Sequence, residues 1–194
     1  DPRCTVFCGQ AGALIPGGMR ILLGNLLRSG FIDVFVTTGA TLTHDLAEAL
    51  GFPHEIGSAF ADDAQLHKQG KDRMWDSYLQ NKAYGAMEDF FDHHWDLFSQ
   101  AKKINELIWL IGSVLKDEHS LLRIAYEKKI PLFCPALADS GIGLMIYGRK
   151  MKGKSIMIDA FEDMKDIIDL AWTSQKVGVF YLGGGVSKNY IQQS

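Results

Sequence analysis

Residues 31–51 read FIDVFVTTGATLTHDLAEALG: an apolar run of aromatic and β-branched residues, then threonines with a glycine, then an amphipathic segment closed by Gly51. That order predicts a buried strand at 31–36, a loop at 37–42, and a helix that opens on Thr43 as its N-cap and stops at the glycine. The plan also precedes it. In CTVFCGQAGALIPGGMRILLGNLLRSG, residues 4–30, a short strand runs into a glycine-rich loop at 9–18 and an amphipathic helix ended by Gly30.

Three later runs, IPLFCPAL (130–137), KSIMIDAF (154–161) and KVGVFYLGG (176–184), read as further apolar strands. Helical patterns separate them: a long one at 83–115, then SLLRIAYEKK (120–129) and EDMKDIIDLAWTSQ (162–175). Residues 52–82 are polar and weakly periodic, so they read as an insertion with short helical stretches. Five apolar strands alternating with helices indicate βαβ units, an α/β fold whose parallel sheet is covered by helices on both faces.

Composition removes several classes of function. The 194 residues are 47% hydrophobic and 22% charged, with a formal net charge of −3, which suits one globular domain and lacks the basic footprint of a nucleic-acid binder. No apolar run approaches the roughly 20 residues that cross a bilayer. Cys4, Cys8 and Cys134 are an odd count without ligand spacing, and no signal segment opens the chain, so reduced thiols in a cytoplasm are expected. The neighbouring His93, His94 and Trp95 do not have the i, i+4 spacing of a helical metal site, and no metal is expected.

A parallel sheet binds ligands outside the carboxyl ends of its strands, where loops open into helix N-termini. There the residues permit two readings each. Gly9-Gln10-Ala11-Gly12 suits a dinucleotide phosphate or a tight turn. Thr37 and Thr38 could bond a ribose or satisfy their own loop. His44 and Asp45 could orient an amine and exchange a proton at the crevice mouth, or be a surface histidine beside a dipole-favoured aspartate. Asp139 could accept from a ribose or cap a helix, and capping suits Asp159 and Glu162. Lys188, beside the triple glycine 183–185, could pair an anion, form an imine if desolvated, or be solvated.

Taken together, VTTGATLTHDL (36–46), IPLFCPALADSGIG (130–143) and YLGGGVSKNYI (181–191), with AGALIPGGMR (11–20) ahead of them, resemble the deoxyhypusine synthase family, in particular its prokaryotic branch. The resemblance implies a Rossmann-like fold, NAD as cofactor and a cytoplasmic homotetramer. It also implies transfer of an aminobutyl group from spermidine to a lysine of the translation initiation factor 5A precursor. On that resemblance Gly12, Ala13, Leu14, Ile15, Pro16, Thr38, Gly39, Ala40 and Asp139 are expected to contact NAD. Thr43, His44, Gly184, Lys188 and Asn189 are expected near the polyamine, with His44 the candidate for catalysis.

The departures are specific. Thr43 and His44 stand where the eukaryotic enzymes have two glutamates, Leu144 where an aspartate is expected, and Asn189 where a histidine is expected. The family's imine-forming lysine belongs to a Trp-Gly-Lys motif beyond Ser194, so residues 1–194 are expected to be one NAD-binding domain of a longer polypeptide. Two other functions fit these departures: a homospermidine-synthase-like enzyme acting on a free amine, and a non-catalytic NAD-binding paralogue that activates a partner subunit.

Overall fold

The computed structural model describes residues 3–194. Along the chain run β1 (Cys4–Gln10), α1 (Arg20–Arg28), β2 (Val34–Val36), α2 (Gly39–Ala49), β3 (Glu55–Ile56), α3 (Asp63–Lys68), β4 (Lys71–Met74) and β5 (Ser77–Gln80). There follow α4 (Lys82–Phe98), α5 (Ile104–Val114), α6 (Leu121–Lys128), β6 (Leu132–Phe133), α7 (Gly141–Met151), α8 (Ala160–Thr173), β7 (Lys176–Leu182) and α9 (Val186–Gln193).

Four strands form a parallel sheet in the order β6-β2-β1-β7. Successive strand residues point to opposite faces, and the core divides accordingly. Phe7, Val34, Val36 and Phe133 pack on one side with Ile167 of α8 and Ile191 of α9. Cys8, Phe35 and Leu132 face the other, where α1, α2 and α4 to α7 supply a larger core through residues such as Leu46, Phe91, Leu107 and Leu122. Both faces are therefore covered by helices, as the apolar runs predict, although the cover thins at β7, where Val177 and Val179 stay about half exposed. Burial pushes the Cys8 and Cys134 thiols up to about 12, which leaves them as small apolar groups. Among the described residues no helix is long and apolar enough to cross a membrane.

Three expectations need correction. Residues 154–159 form no strand: Ile156 and Ile158 alternate inward onto the core, but the segment pairs with no strand, and its Asp159 N–H donates to the Lys102 carbonyl at 2.8 Å. Asp159 then caps α8. Residues 52–82 carry, besides the short α3, a three-stranded antiparallel sheet, β3-β5-β4. Ser77 ties it to the first loop by donating to the Pro16 carbonyl at 2.8 Å. After β6 the chain enters α7, whose glycine-rich opening hides its helical period.

The third correction concerns α2, which begins at Gly39 with Thr38, not Thr43, as its N-cap. The Thr38 hydroxyl accepts from the Thr41 N–H at 3.3 Å. Thr43 lies a turn inside the helix, where its hydroxyl donates to the Gly39 carbonyl and accepts from the Ile142 N–H of α7.

Candidate functional site

Beyond the carboxyl ends of β1 and β2 and past β6 lies a cleft of about 420 Å³, within the usual size of a small-ligand pocket. Gly12, Ala13 and Pro16 line it from the first loop, and Thr38, Gly39, Ala40, Thr41 and His44 from the start of α2. Ala136 and Asp139 close it from the segment before α7, and Val186 from the first turn of α9. The starts of α2 and α9 and the turn before α7 thus gather around one space and point the positive ends of their helix dipoles toward it, while side chains already cap the N–H groups of Thr41, Ile142 and Gly143.

A buried glutamine holds these loops together. Gln10 ends β1 with its side-chain oxygen accepting from the hydroxyls of Thr37 at 2.5 Å and Thr41 at 2.9 Å, while its amide nitrogen donates to the Gly12 carbonyl at 3.2 Å. Its own carbonyl accepts from the Ser187 hydroxyl at 2.9 Å, which fixes the start of α9. Gly39 serves a close approach: a Cβ there would sit 2.5 Å from Cβ of Ser140, the cap of α7. Gly12, at φ +91°, differs, because a Cβ on it would meet nothing within 4 Å and its backbone faces open cleft.

His44 is the imidazole on the cleft wall. Its Nδ1 lies 2.9 Å from Nε2 of His54, whose Nδ1 lies 2.7 Å from Glu48 Oε1. Burial, and after it the neighbouring His54, push His44 down to about 4 against the pull of Glu48. It is neutral at physiological pH.

Asp45, the next residue, turns the other way and is fully buried. Its carboxylate accepts from Arg20 Nε and the Ser120 hydroxyl, both at 2.7 Å, and from the N–H groups of Leu121 and Leu122 at 3.0 and 3.1 Å. It is a clasp for α6, outside the crevice at whose mouth the sequence would place it.

Of the residues singled out in the sequence, Gly12, Ala13, Pro16, Thr38, Gly39, Ala40, His44 and Asp139 meet in the cleft. Ile15 is buried in the core and Leu14 packs against it. Thr43 is spent on the contact with α7. Gly184, Lys188 and Asn189 cluster where the triple glycine opens into α9, outside the lining to which that helix gives Val186. Gln10, Glu48 and His54 carry no mark of a site residue in the sequence by themselves, yet the spacing of His44 and Glu48, four apart on one helix face, is a signal.

A second cavity, about 440 Å³, lies between α5 and α8 on the opposite face of the sheet. Its charges are mutually satisfied, with Lys103 Nζ 2.6 Å from Asp166, and the adjoining start of α5 is already capped by Asp163, which accepts from the Ile104 and Asn105 N–H groups. The first cleft, beyond the carboxyl ends of the parallel strands, lies where such a sheet binds its ligands.

The family model for deoxyhypusine synthase matches residues 1–194. The probable deoxyhypusine synthase 1 of Methanosarcina mazei is 42% identical over 193 residues, covering 99% of this chain and 61% of the relative. The probable deoxyhypusine synthase 1 of Archaeoglobus fulgidus is 39% identical over 191 residues, covering 97% and 62%. The chain thus spans about three fifths of the length of these relatives. A crystal structure of a candidate deoxyhypusine synthase from Entamoeba histolytica superposes with a TM-score of 0.71 at 24% identity, over 94% of this chain and 58% of that one, and shows a shared fold. The match over the whole of its length places the chain in the deoxyhypusine synthase family.

Proposed function

We propose that the cleft binds NAD and that the protein acts as a deoxyhypusine synthase, moving an aminobutyl group from spermidine to a lysine of the translation initiation factor 5A precursor. The observation that carries this reading is the gathering of the starts of α2, α7 and α9 around one cleft beyond the ends of parallel strands. Such a place favours a dinucleotide pyrophosphate, because the positive ends of the helix dipoles meet its charge. Gly12 lets the backbone approach a phosphate, and the exposed Asp139 carboxylate is an acceptor for ribose hydroxyls.

The residues present therefore fit NAD, which when bound would take a hydride from the amine carbon and return it. Around it Thr38 and Ala40 shape the α2 wall, and His44 offers the amine a neutral polar contact in place of a carboxylate. Lys188 is given no nucleophilic role. The homotetramer and the cytoplasmic setting belong to the same proposal.

Ala40→Leu tests it, since residue 40 is exposed on the cleft wall and outside the core. Calorimetric titration with NAD should give an affinity at least about tenfold weaker in the variant, with an unchanged melting temperature. Wild-type protein that binds no NAD overturns the reading. Incubation with NAD, spermidine and factor 5A should then add an aminobutyl group to the factor. Transfer to free diamines alone would indicate a homospermidine-synthase-like enzyme, and binding without turnover a cofactor-binding partner subunit.

A further inference from the structure

His44, His54 and Glu48 form a chain of hydrogen bonds with a direction. Glu48 Oε2 faces Arg20 at 3.5 Å, and its other oxygen meets His54 Nδ1 at 2.7 Å. A carboxylate can only accept, so His54 carries its proton on Nδ1. With Nδ1 holding the one proton of the His54 ring, Nε2 is bare and accepts from His44 Nδ1 at 2.9 Å. His44 in turn carries its proton on Nδ1, and its remaining nitrogen, Nε2, is left with a lone pair at the cleft.

An unconstrained neutral histidine side chain in water prefers the proton on Nε2, so this arrangement is imposed by the partner at the far end of the chain. His54 is placed to transmit it, because its side chain is only 4% exposed and both of its ring nitrogens are engaged. The charged groups around the chain are Glu48 on α2, Arg20 on α1 behind it and Asp139 across the cleft. Burial, the largest cause, keeps His44 neutral against the pull of Glu48, so no imidazolium forms there to repel a cation.

We propose that Glu48 and His54 are positioning residues that fix His44 as its Nδ1–H tautomer, so that Nε2 accepts a hydrogen bond from an N–H of an alkylammonium substrate in the cleft. This rests on the reading of the cleft as the amine and NAD site, and it assigns the amine contact to a neutral acceptor whose strength is set from two residues away. Polarisation along the chain, with an anion at its end, makes Nε2 a stronger acceptor than a lone imidazole. The tautomer is also what keeps the cleft from presenting an N–H donor to a group that has donors only.

Nitrogen-15 spectra of the histidine rings in the ligand-free protein test the chain directly. Both His44 and His54 should appear as Nδ1–H tautomers, and Glu48→Gln should move the His44 proton to Nε2, since the new amide can donate to His54 and reverse every bond. Spermidine titrated in the presence of NAD should bind about tenfold more weakly to Glu48→Gln and to His54→Leu, the loss expected for one hydrogen bond to a charged group, with NAD affinity unchanged. A wild-type His44 protonated on Nε2 overturns the proposal, as does unaltered spermidine affinity in a folded Glu48→Gln. If the tautomers are as stated but NAD does not bind, the cofactor reading falls and the amine role with it, while the hydrogen-bond chain stands as architecture.

Discussion

His44 and Asp45 are neighbours on one helix, and both sit in polar networks inside the protein, yet the two networks end differently. The carboxylate of Asp45 receives four donors, from Arg20, Ser120, Leu121 and Leu122, and has no capacity left for a ligand. The chain through Glu48 and His54 engages one nitrogen of His44 and leaves the other at the cleft. A buried polar network that closes on itself is architecture, and one with an open end is a site. The 100° between successive residues on a helix separates the two roles.

The largest effect should come from breaking the closed network. Asp45→Ala removes the principal partner of a buried Arg20 and strips two N–H groups at the start of α6 of their acceptor, which should cost about 3–5 kcal/mol of stability. Urea unfolding followed by far-ultraviolet circular dichroism reads this out. A loss under about 1 kcal/mol would mean that the pairs Arg20 already makes with Asp117, at 2.7 Å, and Glu48, at 3.5 Å, suffice to hold it and that the clasp is dispensable.

How far each network is legible in the sequence follows from the distances involved. The strand read at 31–36, which forms at 34–36, the helix ending at Gly51 and the glycine loops are local patterns, and they put those loops at the strand ends around which the cleft lies. The start of α2 is not local: four threonines, at 37, 38, 41 and 43, could each cap a helix, and the choice falls to Thr38 because Gln10, some thirty residues earlier, takes the hydroxyls of Thr37 and Thr41. Alternation at 154–159 is real, but a strand also needs a partner to pair with, and this segment pairs with none. The small antiparallel sheet is hard to read because its strands have two to four residues, most of them polar. Asp45 looks like half of a catalytic pair because its partners at 120–122 are invisible from residue 45. His54 hides for the same reason on a shorter scale, lying ten residues on and past the turn at Gly51.

A middle-sized effect should come from Gly39, which stands in the cleft lining but belongs to the closed kind of contact. Gly39→Ala would place a methyl 2.5 Å from Cβ of Ser140, forcing α2 and α7 apart at a cost of about 1–3 kcal/mol. Pairing it with Ser140→Gly should recover most of that loss, less about 1 kcal/mol for the lost α7 cap. Thermal melts of the three variants measure it. Additive losses in the double variant would show that the glycine is there for the ligand and not for the helices.

The smallest effect is a dependence on pH, and it tests whether the open end of the His44 network is as desolvated as its position indicates. Folded His44 titrates near 4, below the 6.5 of an unfolded histidine, so between these values the unfolded chain binds a proton that the native protein refuses. The stability tied to neutral His44 is therefore complete above pH 6.5 and is lost progressively as pH falls toward 4. After allowance for partial contact with solvent, the change should be about 1–2 kcal/mol. His44→Gln removes that titration while keeping a polar side chain, so the difference in unfolding free energy between it and the wild type should narrow by this amount on going from pH 7 to pH 4.5. A difference that does not change with pH would place the imidazole in water, and His44 would then be a surface residue whose link to His54 lapses in solution.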